Sequence, residues 1–171
     1  IGAYWFEKIC NIPAQAFIAS EYKYNPPLSC NQSSLAILLS QSGETADLLT
    51  LLPHIEENYR YKLSLCNNPN STLVNHTDFN IDLEAGKEIG VASTKAFTAQ
   101  ILCLIKVIST LEKSLAKKTI SERNDDSLNL SHNIHQVLQL EAWELLARRL
   151  SKYKHLLILG RGPMLAVAQE G

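Results

Sequence analysis

The stretch Leu35-Ala36-Ile37-Leu38-Leu39-Ser40-Gln41-Ser42-Gly43-Glu44-Thr45 changes character halfway along. Five consecutive apolar residues run into three hydroxyls, an amide and a glycine. An unbroken apolar run of this length predicts a strand over 34–39 that is buried on both faces, as in a parallel sheet. The polar part predicts a turn at the strand's carboxyl end. Beyond it Leu48, Leu51, Leu52 and Ile55 recur at i, i+3, i+4 and i+7, the apolar stripe of a helix.

The same alternation continues on either side. Tyr4 to Asn11 reads as the end of a helix stopped by Pro13, and Gln15 to Ser20 as a short apolar strand. Tyr61 to Cys66 predicts the next strand, Asn67-Asn68-Pro69-Asn70 a turn, and Phe79 to Leu83 a fourth strand. From Lys95 to Leu111 apolar residues cover nearly the whole helical circumference, which predicts a central helix packed on more than one side. Lys113 to Asn129 is polar and reads as a linker. An amphipathic helix is expected from Ser131 to Arg149, with Ile134, Leu138, Ala142 and Leu145 inward. His155 to Leu159 reads as a last buried strand, followed by Gly160-Arg161-Gly162-Pro163 and a helix start. Strands alternating with helices at this spacing predict an α/β protein, a three-layer αβα sandwich with a mainly parallel sheet.

Composition narrows the function. Sixteen basic residues balance seventeen acidic ones for a net charge of −1. No basic stripe mixed with aromatics is present, so no nucleic acid partner is expected. No stretch is long and apolar enough to suggest a membrane span. Cys10, Cys30, Cys66 and Cys103 are widely spaced and read as reduced thiols of a cytoplasmic protein rather than zinc ligands. The five histidines show no metal spacing, and no metal or cofactor is expected. Gly160-Arg161-Gly162 lacks the third glycine of a dinucleotide loop, and Pro163 removes a donor.

In an open parallel sheet, ligands bind beyond the carboxyl ends of the strands, where Ser40 to Thr45 would lie. Ser40, Ser42 and Thr45 supply hydroxyls, Gln41 an amide, Gly43 room for close backbone approach, and the next helix free N–H groups. No lysine sits there. Neutral donors suit a phosphate monoester that has to be released again. A simple capped turn would use the same residues. A second Gly-containing loop, Glu88 to Lys95, runs into a helix with Ser93 or Thr94 as its expected cap, and again a capped turn is the plain alternative.

Ser40-Gln41-Ser42-Gly43-Glu44-Thr45-Ala46-Asp47 resembles the signature of sugar isomerase (SIS) domains. The stretch Glu88 to Thr98 resembles the isomerase part of the glucosamine-6-phosphate synthase family (glutamine–fructose-6-phosphate aminotransferase, isomerising). Tyr4-Trp5-Phe6-Glu7, Ile18-Ala19-Ser20-Glu21 and Leu159-Gly160-Arg161-Gly162 agree in the same order. The resemblance implies that Ser40, Gln41, Ser42 and Thr45 bind the phosphate of fructose 6-phosphate or glucosamine 6-phosphate. It implies that Val91 and Ser93 contact the sugar, and that the protein forms a homodimer.

The family pattern also implies what this chain lacks. Its first SIS strand, ending in a Cys-Gly-Thr-Ser loop, should precede Ile1, and its glutaminase domain, catalytic Glu, ring-opening His and Schiff-base Lys lie outside the chain. No catalytic residue is therefore assigned here, and weak binding without catalysis is expected of the chain by itself. The expected division is a first SIS subdomain over 1–115 without its first strand, a linker and connecting helix over 116–150, and the start of a second subdomain over 151–171. His155 to Leu159 is expected to fill the vacant sheet position, in its own chain or swapped into a neighbour's. A stand-alone phosphosugar-binding or regulatory module and an inactive remnant are the other readings.

Overall fold

The computed structural model describes residues 1–27, 33–89, 93–115 and 127–170. The chain divides into two compact units, Gly2–Glu112 and Lys113–Gly171 together with Ile1.

The first unit contains a three-stranded parallel sheet in the order β1 (Leu35–Ser40), β2 (Tyr61–Cys66), β3 (Phe79–Asp82). Leu35 pairs with Tyr61 and Ser40 with Cys66, and Cys66 in turn pairs with Asp82. Ser40, Cys66 and Asp82 therefore form one row at the carboxyl ends of the strands, and the loops that follow them share one edge of the sheet.

Side-chain alternation sends neighbouring strand residues to opposite faces. Ala36 and Leu38 join Tyr22, Leu48, Leu51, Leu52, Ile55 and Leu73 in one core cluster. Ile37, Leu63, Leu65 and Ile81 face the other way, onto Phe6, Cys10, Ala96, Leu104 and Ile108. The second cluster is supplied by α1 (Gly2–Cys10) and α6 (Lys95–Leu115), the first by α2 (Ala19–Tyr22), α3 (Ala46–Leu49), α4 (Leu52–Asn58) and α5 (Thr72–Asn75). Helices on both faces of a parallel sheet give the αβα layering that the sequence predicts. Burial of β1 is only alternate, however. Leu35 and Leu39 remain 49% and 45% exposed, because β1 ends the sheet among the described residues and has a neighbouring strand on one side only.

The predicted helical stripe Leu48, Leu51, Leu52, Ile55 is buried as expected but spans two short helices. Pro53 has no N–H to offer the Leu49 carbonyl, so α3 stops and α4 begins around the proline, which sits in its first turn. Gln15 to Ser20 is not a strand. The Ile18 carbonyl instead accepts from the Glu21 and Tyr22 amides, each at 3.0 Å, and starts α2. A strand needs a neighbour for its backbone groups, and this segment pairs with none in the sheet. On α6, only Ala96, Leu104 and Ile108 are buried, while Leu102 and Ile105 are each 41% exposed, so the helix packs along one stripe rather than all round.

The second unit is helical. The single helix expected over 131–149 is broken into α7 (Ser127–Leu138) and α8 (Ala142–Leu150). The Val137 carbonyl accepts from the Leu140 amide at 3.2 Å and from the Trp143 indole N–H at 2.6 Å, which ends α7 in a tight turn. Ile134, Leu138, Ala142 and Leu145, expected inward, are exposed. His155 to Leu159 forms no strand and belongs to no sheet. Leu157 is 83% exposed, and the expectation that this segment pairs beside Leu35–Leu39 is not met in this chain. α9 (Met164–Glu170) follows Pro163 as expected. Of the linker expected from Lys113 to Asn129, the first residues to Leu115 continue α6 and those from Ser127 begin α7, while 116–126 lie outside the described residues.

Cys10 and Cys66 are buried free thiols and Cys103 is half-buried, while Cys30 lies outside the described residues. Among the described residues no helix is long and apolar enough to cross a membrane.

Candidate functional site

The loop Ser40 to Thr45 leaves the carboxyl end of β1 as its apolar run predicts, and its own hydroxyls organise it. Ser40 is buried, and its Oγ accepts the Gly43 amide at 2.9 Å and lies 3.3 Å from Thr45 Oγ1. Ser42 Oγ accepts the Glu44 amide at 3.1 Å. The chain thereby folds into a compact turn, here called the cup, in which Gln41 and Ser42 are half-buried and Thr45 is exposed. Thr45 precedes α3 in an extended conformation without a side-chain cap, which leaves its hydroxyl available to Ser40 or to a ligand.

Gly43 is required here for two reasons. Its φ of +70° lies in the left-handed region, and a Cβ would run into the Ser71 side chain and come within 2.9 Å of Cys66 Sγ. The Gly43 carbonyl accepts the Leu73 amide at 3.1 Å. Glu44 reaches across to the start of α5, where its Oε1 accepts the Thr72 amide at 2.7 Å. Asn68 Nδ2 donates to the Ser42 carbonyl at 3.3 Å, and the Asn67 amide to the Gln41 carbonyl at 3.2 Å. The candidate loop is thus fastened along its length to the loop after β2.

Asn67 extends this fastening to a third loop. Its Nδ2 donates to the Gly86 carbonyl at 2.8 Å, and its Oδ1 accepts the Ala85 amide at 2.9 Å. One side chain at the end of β2 therefore holds the segment after β3 in place. The sequence reads Asn67 only as turn composition, and nothing in its local pattern signals these long-range partners.

The second candidate loop runs from Glu88 to the start of α6. Ser93 is exposed, and Val91 lies outside the described residues together with Gly90 and Ala92. The expected cap, Ser93 or Thr94, is not the group that closes the helix. Glu88 does so from outside: Oε1 accepts the Thr94 amide at 2.6 Å and the Lys95 amide at 3.1 Å, while Ser93 Oγ donates to Oε2 at 3.1 Å. The Thr94 amide, with the Ser93 hydroxyl and further donors of the same turn, holds the Glu88 carboxyl below its ordinary range despite partial desolvation. The capping-box pattern hides this residue, because Glu88 lies seven positions before the first helical residue rather than within the first turn.

The first loop carries one charge, the Glu44 carboxylate, which is turned to the Thr72 amide, and in the second the Glu88 carboxylate is held by the Thr94 and Lys95 amides. Ser40, Gln41, Ser42 and Thr45 offer hydroxyl and amide groups around a backbone that Gly43 brings close. Such a site can hold an anion by hydrogen bonds without a fixed countercharge.

The SIS domain family matches residues 1–107. Over 175 residues the chain is 40% identical to the glutamine–fructose-6-phosphate aminotransferase (isomerizing) of Escherichia coli K12, a match covering all of this chain and 29% of that protein. The corresponding protein of Wigglesworthia glossinidia brevipalpis is 38% identical over 176 residues, covering 99% of this chain and 28% of its own length. Among solved structures, the C-terminal domain of glucosamine-fructose-6-phosphate aminotransferase from Francisella tularensis superposes with a TM-score of 0.83 at 36% identity. That match covers 99% of this chain and 48% of that one. The chain therefore spans less than a third of these curated relatives. With more than half of its residues matched by the family and its αβα layering shared with the Francisella domain, the chain belongs to the SIS domain family.

Proposed function

We propose that the chain binds a phosphorylated sugar, with Ser40, Gln41, Ser42 and Thr45 around the phosphate and Val91 and Ser93 at the sugar. The observation that supports this best is the Ser40–Thr45 cup. It stands at the carboxyl end of a parallel strand, closes on its own hydroxyls through the Gly43 amide, and presents neutral donors around a left-handed glycine. A phosphate monoester accepts hydrogen bonds at several oxygens and gains from such donors without the tight hold of a lysine.

Within a longer protein, we read this segment as the phosphosugar-holding part of an enzyme that makes glucosamine 6-phosphate from fructose 6-phosphate and glutamine. The first unit is then a first SIS subdomain, and the residues from about 151 onward begin a second one. No residue of this chain is assigned to the chemical steps. A cytoplasmic location and a homodimer belong to the same reading. Fractionation and sedimentation test those two points.

The direct test is calorimetric titration of the intact chain with fructose 6-phosphate, glucosamine 6-phosphate and unphosphorylated fructose. The reading requires heat from the two phosphates, none from fructose, and a loss of at least tenfold in affinity in the S42A/T45A variant. Absence of heat at millimolar sugar phosphate would mark the loop as a capped turn in an inactive remnant.

A further inference from the structure

Glu88 collects four hydrogen bonds from the beginning of α6. Besides the two amides and the Ser93 hydroxyl, Thr94 Oγ1 also donates to Oε1, at 3.3 Å. Lys95 Nζ does not reach into this loop as a free cation, because it donates to the Lys87 carbonyl at 2.7 Å.

Two consequences follow for a ligand. The first-turn amides and the positive end of this 21-residue helix already hold a carboxylate, so a second anion arriving there meets like charge instead of open donors. The single proton of the Ser93 hydroxyl is directed at Glu88 Oε2, so what Ser93 offers outward is lone pairs. A phosphate dianion, which only accepts, finds no partner in such a serine. A sugar hydroxyl, which can donate, does. The Ser40–Thr45 cup has the opposite bias. Ser40 Oγ accepts from the Gly43 amide and keeps its own proton for Thr45 or for a bound oxygen.

We propose that Glu88 is a positioning residue that fixes Ser93 as a hydrogen-bond acceptor, so that the α6 end of the site takes a sugar hydroxyl and the phosphate is left to the Ser40–Thr45 cup. The inference rests on the phosphosugar reading, which already sets the phosphate and sugar ends, and adds to it a role for Glu88. Glu88 does not itself touch the ligand in this scheme. It acts through Ser93.

The test compares the intact wild-type chain with E88Q, S93A and the double variant. Each is titrated with fructose 6-phosphate and, as a probe of the cup alone, with inorganic phosphate, and thermal melting monitors the fold. In E88Q an amide nitrogen can face the Ser93 hydroxyl and reverse its polarity. E88Q and S93A should each weaken fructose 6-phosphate about tenfold, and the double variant scarcely more than S93A, since both changes remove one interaction. Inorganic phosphate should bind all four proteins within about twofold of one another. Multiplying losses in the double variant, or equal losses of phosphate and fructose 6-phosphate in E88Q, would overturn the proposal. If E88Q does not fold, S93A decides: it must weaken fructose 6-phosphate and spare phosphate, and a loss of both refutes the assignment. A wild-type chain that binds neither ligand removes the phosphosugar reading itself and this inference with it. Binding with independent losses removes the role of Glu88 alone.

Discussion

The Glu44 carboxylate, at the tip of the loop after β1, accepts the backbone amide of Thr72 at the first residue of α5, at 2.7 Å. α5 has only four residues, and Ser71 Oγ caps it as well, accepting the Val74 amide at 3.4 Å. A helix this short depends on such partners, because most of its N–H groups have none within the helix. Glu44→Ala should therefore lower stability by about 1 kcal/mol or less, as expected for one solvent-facing charged hydrogen bond. The amides of residues 72–75 should exchange faster by hydrogen–deuterium measurement. Unchanged protection there would mean that Ser71 caps the helix alone.

Gly43→Ala should be far more damaging. The substitution places a side chain in left-handed backbone and drives a methyl group against Ser71 and Cys66. Together these cost roughly 2–5 kcal/mol. The two parts are separable. Because Ser71→Gly also removes the α5 cap, Gly43→Ala is compared in the Ser71→Gly background with Ser71→Gly alone, where most of the steric part is gone and the backbone part, about 1–2 kcal/mol, remains. Urea unfolding of the wild type, both single variants and the double variant measures both, and a Gly43→Ala cost that is the same with Ser71 as with Gly at that position would place the whole of it in the backbone.

The contrast between Glu44 and Gly43 also shows what was legible in the sequence. Gly43 stands in a polar turn directly after an apolar run, and its need for close backbone approach can be read from residue types alone. Glu44 and Glu88 look like ordinary charged residues, since their partners Thr72 and Thr94 are defined by the fold and not by helical or strand spacing. The same distinction explains the strands. Leu35–Ser40, Tyr61–Cys66 and Phe79–Asp82 were readable because each apolar run has a neighbour to pair with. Gln15–Ser20 and His155–Leu159 have similar composition, yet neither pairs in the sheet, and composition does not reveal whether an adjacent edge exists. The break between α3 and α4 was marked by Pro53, but the buried stripe of leucines carried across it and suggested one helix.

Asn67 offers a test of how far the three loops act as one structure. In Asn67→Ala the Gly86 carbonyl and the Ala85 amide both lose their partner, a cost of about 1–3 kcal/mol. Asn67→Asp is nearly the same size and still accepts from Ala85, but it turns a carboxylate oxygen toward the Gly86 carbonyl. It should be destabilising at neutral pH and partly recover on acidification, when the carboxyl regains a proton to donate. Sugar phosphate affinity should fall in both variants although Asn67 is not among the residues proposed to bind it, because the Glu88–Ser93 segment follows directly from the loop it holds. A melting temperature for Asn67→Asp that does not depend on pH more than that of the wild type would contradict this account.

Acid sensitivity should be concentrated in two carboxylates. Asp78 Oδ2 accepts the Lys62 amide at 2.7 Å and pairs with Lys62 Nζ at 3.3 Å. The Lys62 amide is the main cause that lowers the Asp78 carboxyl, with the ammonium adding to it against some desolvation. Glu88 is lowered chiefly by the Thr94 amide. For a carboxyl whose folded value is depressed, the native state binds fewer protons than the unfolded one. Its stabilising contribution is then fully present above the unfolded value, about 4 for carboxyl groups, and is lost as pH falls through the lower folded value. The melting temperature should accordingly change little between neutral pH and about 5 on account of these two groups, and fall more steeply below about 4. Asp78→Asn and Glu88→Gln should each start lower at neutral pH and flatten the acid limb, with Asp78→Asn acting on the β2–β3 pairing and Glu88→Gln on the first turn of α6. Residue-resolved hydrogen exchange between neutral and acid pH separates the two sites. Acid limbs as steep in both variants as in the wild type would show that the sensitivity comes from other carboxylates.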